Sequence, residues 1–375
     1  MLMAIKTTED MFMTRRRVIQ AITACSISSL AWGQDNKPIQ SDYLVAAWEH
    51  EARYSLGILR LDLNSWSVVR SLDLPTRPHG FFCEADGTVL TVARRPGEWL
   101  LRWNWHTGST QWSWVDDDRR LNGHVISSLD GRTRLTTETD QSSGRGLLGV
   151  RSAATMEKIQ EFDTHGLDPH QLMILPKALG GCPAGTVIVA NGGVRTFSET
   201  GRMKASGAPL DSSLVALSPT DGRLLGQWRL PDPYLSIRHL AWDAASGRLG
   251  IALQSEHYDK TTKEAAPVLA VWDGEELRTA SGQPKLQGYG GDIVAMPGSG
   301  FAVSCPKANV ISLYDALGNW KSVIEQSGVC ALAPHQGGWL AAGNAELTWN
   351  VEKTNTQPFR LPSLGYQWDN HWLAV

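Results

Sequence analysis

Cysteine is scarce in these 375 residues, with five in all and no two near enough to form a Cys-x-x-Cys pair. That excludes zinc ribbons and thioredoxin-like redox motifs. Cys83 and Cys330 fall in runs that read as innermost strands, where a buried free thiol is the ordinary reading. A Cys305–Cys330 disulfide stays open for an oxidising compartment. Charge is also thin, at 19% Asp, Glu, Lys and Arg and a net −3; removing residues 1–33, with four Lys/Arg and two Asp/Glu, moves −3 to about −5. Such a balance excludes nucleic acid and an anionic membrane surface as partners. No run is apolar enough to span a bilayer, since Val18–Trp32 is short and interrupted by Gln20, Ser26, Ser28 and Ser29. The glycine-rich stretches GYGG, NGGV and GSGF lack the following Lys-Ser/Thr of a phosphate cradle and read as turns. A nucleophile elbow is absent, and alternation along a strand would scatter Ser236, His239 and Asp243 over different faces, so a hydrolase triad is excluded too.

The amino terminus reads as an address label. Thr14-Arg15-Arg16-Arg17-Val18-Ile19-Gln20 matches the twin-arginine pattern, and Ala31-Trp32-Gly33 offers small residues for cleavage before Gln34. The expectation is a signal peptide over 1–33, a linker over 34–42 and a periplasmic mature chain. Ile22-Thr23-Ala24-Cys25 also resembles a lipoprotein box, leaving lipid anchoring at Cys25 as the alternative.

What the sequence has in quantity is turn-forming glycine (36), proline (18) and tryptophan (16), which suits short strands better than helices. Strand-like runs come in fours, separated by turns such as Asp86-Gly87, Thr107-Gly108, Asp130-Gly131 and Asp221-Gly222. One group is Gly80–Ala85, Val89–Ala93, Glu98–Trp105 and Thr110–Val115. Further groups start at His124, at His170, near His239, at Gly291 and at Gly328. Tyr43–Trp48, Gly57–Leu63 and Ser67–Leu74 look like a blade lacking its inner strand, and Trp368–Val375 looks like an inner strand alone. Joining them predicts an all-β, seven-bladed β-propeller over 43–375, closed by its C-terminal strand.

Five histidines then share one address. His79 (RPHGFF), His124 (NGHVIS), His170 (DPHQLM), His239 (IRHLAW) and His371 (DNHWLAV) each stand just ahead of, or at the start of, an inner run. A closed ring gathers them at one mouth of a central channel, with Glu138 and His257 among the residues that close second strands. Imidazoles beside carboxylates suit a transition metal: iron, alternatively copper or zinc. The competing reading is that each histidine merely braces its own blade, as in WD40-type propellers. Two insertions, 192–212 and 255–266, leave toward the same mouth, and Arg195, Arg202 and Lys204 in the first of them would attract an anionic group or a partner protein.

The segments GRGLLGVRS (144–152), LDPHQLMILP (167–176), VIVANGGVRTFSETGR (187–202), DSSLVALSPTDGRLL (211–225) and LSIRHLAW (235–242) together resemble an uncharacterised family of exported bacterial propellers. Its members are often encoded beside imelysin-like periplasmic iron-uptake proteins. The resemblance implies a YVTN-like or quinoprotein-like propeller and carries over onto His124, His170, Asn191, Arg202, Arg238 and His239, of which Asn191, Arg202 and Arg238 would serve as ligand-binding positions beside the histidines. Gln171 departs from the pattern, standing where relatives tend to have an acidic residue. The expectation is a monomeric, non-enzymatic, iron-handling protein with an imelysin-type partner. The alternatives are a quinoprotein-like oxidoreductase and an interaction scaffold with structural histidines.

Overall fold

Glycines in the left-handed region make the hairpins. Gly87 (φ 83°), Gly108 (φ 84°), Gly131 (φ 71°) and Gly222 (φ 68°) stand in the Asp-Gly and Thr-Gly turns, where a side chain would be strained. The computed structural model describes residues 43–62, 65–194, 209–335, 337–344, 346–351, 359–362 and 365–375. The expected signal peptide, the linker, Cys25, Arg195, Arg202 and Lys204 lie outside the described residues.

The strands form up-and-down antiparallel meanders. One contains β1 (Tyr43–His50), β2 (Arg53–Asp62) and β3 (Ser65–Leu74). The next is β4 (Pro78–Cys83), β5 (Val89–Ala93), β6 (Trp99–Trp103) and β7 (Thr110–Trp114), followed by β8 (Arg119–Ser127), β9 (Thr133–Asp140), β10 (Arg145–Ser152) and β11 (Lys158–Leu167). Then come β12 (Pro169–Ile174), β13 (Val187–Asn191), β14 (Ser213–Leu217) and β15 (Leu224–Trp228). The fifth of these meanders holds β16 (Leu235–Asp243), β17 (Arg248–Ser255), β18 (Leu269–Trp272) and β19 (Leu277–Thr279), with the short helix α1 (Lys260–Ala265) inserted after β17. Two more meanders are β20 (Ile293–Ala295), β21 (Phe301–Cys305), β22 (Val310–Tyr314), β23 (Trp320–Glu325), and β24 (Ala331–His335), β25 (Gly338–Ala342), β26 (Glu346–Val351), β27 (Phe359–Pro362). The last strand, β28 (Gln367–Ala374), pairs antiparallel with β1 and touches β24 at the parallel pair Leu332–His371, so that β24–β28 and β1–β3 form one eight-stranded sheet.

The chain is therefore all-β and propeller-like. Strands β28, β4, β8, β12, β16, β20 and β24 pack side by side in that succession, and β24 in turn meets β28; these are the inner strands. Between neighbouring sheets lie apolar clusters, such as Val45, Ile58, Trp99 and Trp103 between the β1 and β4 meanders, and Leu44, Trp48, Leu340, Trp368 and Trp372 between those of β24 and β1. Trp99, Trp103, Trp272 and Trp339, four of the sixteen tryptophans, are the largest fully buried side chains. Cys83, Cys182, Cys305 and Cys330 are free thiols, so the disulfide left open by the sequence is not formed. No helix among the described residues is long and apolar enough to cross a membrane.

Candidate metal centre

Five inner strands break register with their neighbours at one place, and a histidine stands in each break. On β4, His79 and Gly80 lie between the pairs Pro78–Ala93 and Phe81–Thr91, so that two residues oppose one. His170 and Gln171 lie between Pro169–Asn191 and Leu172–Val189 on β12, and Arg238 and His239 between Ile237–Leu253 and Leu240–Ile251 on β16. On β8 the bulge holds Asn122, Gly123 and His124, and on β28 it holds Asp369, Asn370 and His371. A bulge interrupts the alternation of faces, bends the strand and re-aims the side chain. The histidines thus sit within strands rather than at their starts, a refinement of the address read from sequence.

Glycine makes the approach possible. A Cβ on Gly80 would lie 2.6 Å from the Gly123 carbonyl oxygen, and one on Gly123, whose φ is 98°, would lie 2.7 Å from the His79 ring. With those two positions bare, the imidazoles converge. Ring centroids range from 4.5 Å for His239–His371 to 5.8 Å for His79–His239, with His124 4.9 Å from both His79 and His170. One nitrogen from each of His79, His124, His239 and His371 lies within 4.8 Å of the other three, and all four residues are buried.

The nitrogens meet across sheets. His239 Nε2 is 2.8 Å from His170 Nε2 and 3.2 Å from His371 Nε2. Asp292, one residue ahead of β20, orients the last of these: its Oδ2 lies 3.1 Å from His371 Nδ1 and also accepts from the Leu332 amide at 3.0 Å. A carboxylate oxygen accepts from an imidazole through its N–H, so a neutral His371 paired in this way carries its proton on Nδ1 and turns the Nε2 lone pair inward. Both ring nitrogens of His79, Nε2 of His124 and Nδ1 of His170 are buried without a hydrogen-bond partner. Burial pushes His79, His124, His170 and His239 well below the ordinary imidazole range, and neighbouring imidazoles add to the effect. Arg94 contributes at His79, and Arg238 at His170 and His239. These rings stay neutral at physiological pH, the state in which imidazole binds metal.

The other residues singled out by sequence have partners outside the imidazole cluster. Glu138 is fully buried, but its carboxylate is held by Arg151 at 2.7 Å and Lys158 at 3.3 Å within its own sheet. His257 bonds Ser255 Oγ at 2.8 Å and faces Asp232 at 3.2 Å. Asn191 donates to the Thr164 carbonyl at 2.8 Å, bracing β13 against β11. Arg238 pairs with Asp168 at 2.7 Å, and Arg95 reaches the other oxygen of that carboxylate. Gln171 Oε1 accepts from the Leu240 amide at 2.6 Å, a structural use of the position where relatives carry an acid. Ser236 donates to the Gly192 carbonyl at 2.6 Å and Asp243 accepts from Ser246 and Ser299, so those two side chains are committed away from His239. Asp292 escaped the sequence reading, although its signal was present: an acidic residue in GGDIVA, at the address occupied elsewhere by histidine.

Solved structures with a similar fold include a functionally unknown protein from Desulfotomaculum acetoxidans (11% identity, TM-score 0.51, covering 81% of this chain and 90% of that one). Hydrazine synthase from Kuenenia stuttgartiensis is similar over 89% of this chain and 99% of that one, at 11% identity and TM-score 0.56. Virginiamycin B lyase from Staphylococcus aureus is similar over 78% and 87%, at 12% identity and TM-score 0.53. At such identities the likeness carries the fold alone. No curated protein sequence matches the chain. Residues 72–375 do match a family profile, and the chain belongs to the family described as Protein of unknown function (DUF1513).

Proposed function

We propose that this protein is a seven-bladed propeller whose inner strands bind one transition-metal ion through His79, His124, His170, His239 and His371. The observation that carries the reading is the meeting of His170, His239 and His371 at Nε2. With His371 Nε2 a lone pair, His239 Nε2 has one position with which to satisfy two neighbours, and a single proton leaves the protonation of the trio unbalanced. A cation that accepts several lone pairs resolves this. The orphaned nitrogens of His79, His124 and His170 support it further, because each unsatisfied buried polar atom costs about 1–3 kcal/mol. Bracing within a single blade would instead pair each ring inside its own sheet.

The separations suit a metal. Ligands at about 2.0–2.1 Å stand roughly 2.9 Å apart at right angles and roughly 3.3 Å apart in a tetrahedron, near the 2.8 and 3.2 Å that separate His239 Nε2 from His170 and His371. The Asp292–His371 contact is the outer-shell orientation that metal-bound imidazoles commonly have. An all-imidazole set suits iron, copper and zinc, and iron is the ion proposed, since the segments shared with exported propellers point toward periplasmic iron handling beside an imelysin-type partner. The twin-arginine pattern supports export to the periplasm after folding. Seven four-stranded units are supported by the succession of inner strands, and closure by the pairing of β28 with β1.

Elemental analysis of protein purified without a histidine tag tests the reading. The wild type is expected to hold about one metal ion per chain, and His170→Ala/His239→Ala to lose it while keeping the β-rich circular dichroism of the wild type. Equal, substoichiometric metal in both would contradict it.

A further inference from the structure

The rim around the histidines is rich in guanidinium, and among the described residues Asp369, Asp168 and Asp292 beside it are committed. Arg77 forks onto Asp369 at 2.5 and 2.8 Å and reaches Asn370 at 3.3 Å. Asp168 is shared by Arg95 and Arg238, and Asp292 is taken by His371 and two backbone amides, those of Ile293 and Leu332. Glu256 acts on both Arg238 and Lys307. Arg94 is the exception. It follows β5, its backbone amide donates to the Arg77 carbonyl at 2.8 Å, and its half-buried side chain has no carboxylate ion-pair partner among the described residues. An unpaired guanidinium, partly buried beside a like charge, is costly unless an anion visits it.

A second group converges there. Tyr289 stands three residues ahead of Asp292, its ring lies 4.3 Å from the Lys307 ammonium, and it feels the charges of Arg94, Arg77 and Arg238. Burial pushes its phenol up, so it remains a neutral donor. A divalent ion among neutral imidazoles adds two positive charges to this collar. Among the described residues, Asp369 is the one carboxylate whose field reaches Arg94, and it is already held by Arg77, which leaves a bound anion as the source of balancing charge.

We propose that the mouth beside the histidines binds a small oxyanion, a carboxylate or phosphate group, anchored by the Arg94 guanidinium with the Tyr289 hydroxyl as second donor, and that this anion completes the coordination of the metal. The planar fork of arginine matches both chemistries in bidentate fashion. This rests on the metal reading above and names the ligand class that the site takes along with its ion.

The test is calorimetric titration of oxalate and, separately, of inorganic phosphate into the full chain loaded with zinc, with zinc content measured in every sample. Wild type is expected to bind at least one of the two at one per chain. Arg94→Gln should weaken that binding about ten- to hundred-fold, the effect of losing a charge-assisted hydrogen bond, and the milder Tyr289→Phe should weaken it several-fold. Zinc-loaded wild type that ignores both anions, or Arg94→Gln that binds them as wild type does, overturns this inference and leaves the metal reading standing. Wild type that fails to hold zinc overturns both.

Discussion

Asp292 determines which nitrogen His371 can offer. Replaced by Asn, it no longer dictates the tautomer, since an amide can donate as well as accept. Asp292→Asn is expected to lower metal affinity about 10–100-fold, read by competition with a chromogenic chelator, with little change in far-ultraviolet circular dichroism. Affinity equal to wild type would mean that His371 is not held as a ligand. The histidines were legible in sequence because a rare residue type recurred at one address. Asp292 was not, because its role depends on the neighbouring β28, far away in the chain, and no local pattern announces such a contact. Glu138 shows the reverse: its place at the end of a second strand suggested the mouth, yet Arg151 and Lys158 from β10 and β11 claim it.

At the scale of elements, turn chemistry made the hairpins readable, since Asp-Gly and Thr-Gly pairs mark backbone that needs positive φ. Strand ends were less readable. β11, the outer edge of its sheet, runs to Leu167 through the polar stretch Asp163-Thr164-His165, which carries no hydrophobic alternation because Thr164, His165 and Gly166 bulge between the pairs Leu147–Asp163 and Arg145–Leu167. The bulges were invisible for a related reason: an inserted residue leaves composition unchanged and shows only in the register of two strands.

That outer edge is tied to β8 by charge. The Arg119 guanidinium, with Lys158 beside it, holds the Glu161 carboxyl down at about 2, against 4.5 ordinarily. The folded value lies below the unfolded one, so the contribution to stability is present above about 4.5 and is lost as pH falls through about 2. Glu161→Gln is expected to lower stability by up to about 1 kcal/mol at pH 7, and by progressively less toward pH 2. Urea unfolding at several pH values checks this, and a deficit that stays constant with pH would contradict it.

At the scale of the molecule, the inner strands bring together histidines as far apart in the chain as His79 and His371. β28 is the element on which this depends. It pairs with β1, meets β24, places His371 in the cluster and contributes Trp368 and Trp372 to the apolar contact between two sheets. Deleting residues 367–375 would expose the edge of β1, strip those tryptophans from their contacts and remove one imidazole from the cluster. The truncated chain is expected to lose cooperative thermal unfolding and to bind the dye ANS; a sharp transition like that of the full chain would show that the tail is dispensable.

X-ray absorption at the metal edge of tag-free, zinc-loaded wild type addresses the histidine cluster itself. The account predicts nitrogen scatterers at about 2.0–2.1 Å with the multiple-scattering signature of at least three imidazoles, diminished in His170→Ala/His239→Ala. A spectrum dominated by oxygen or sulfur, or unchanged by the double substitution, would contradict it.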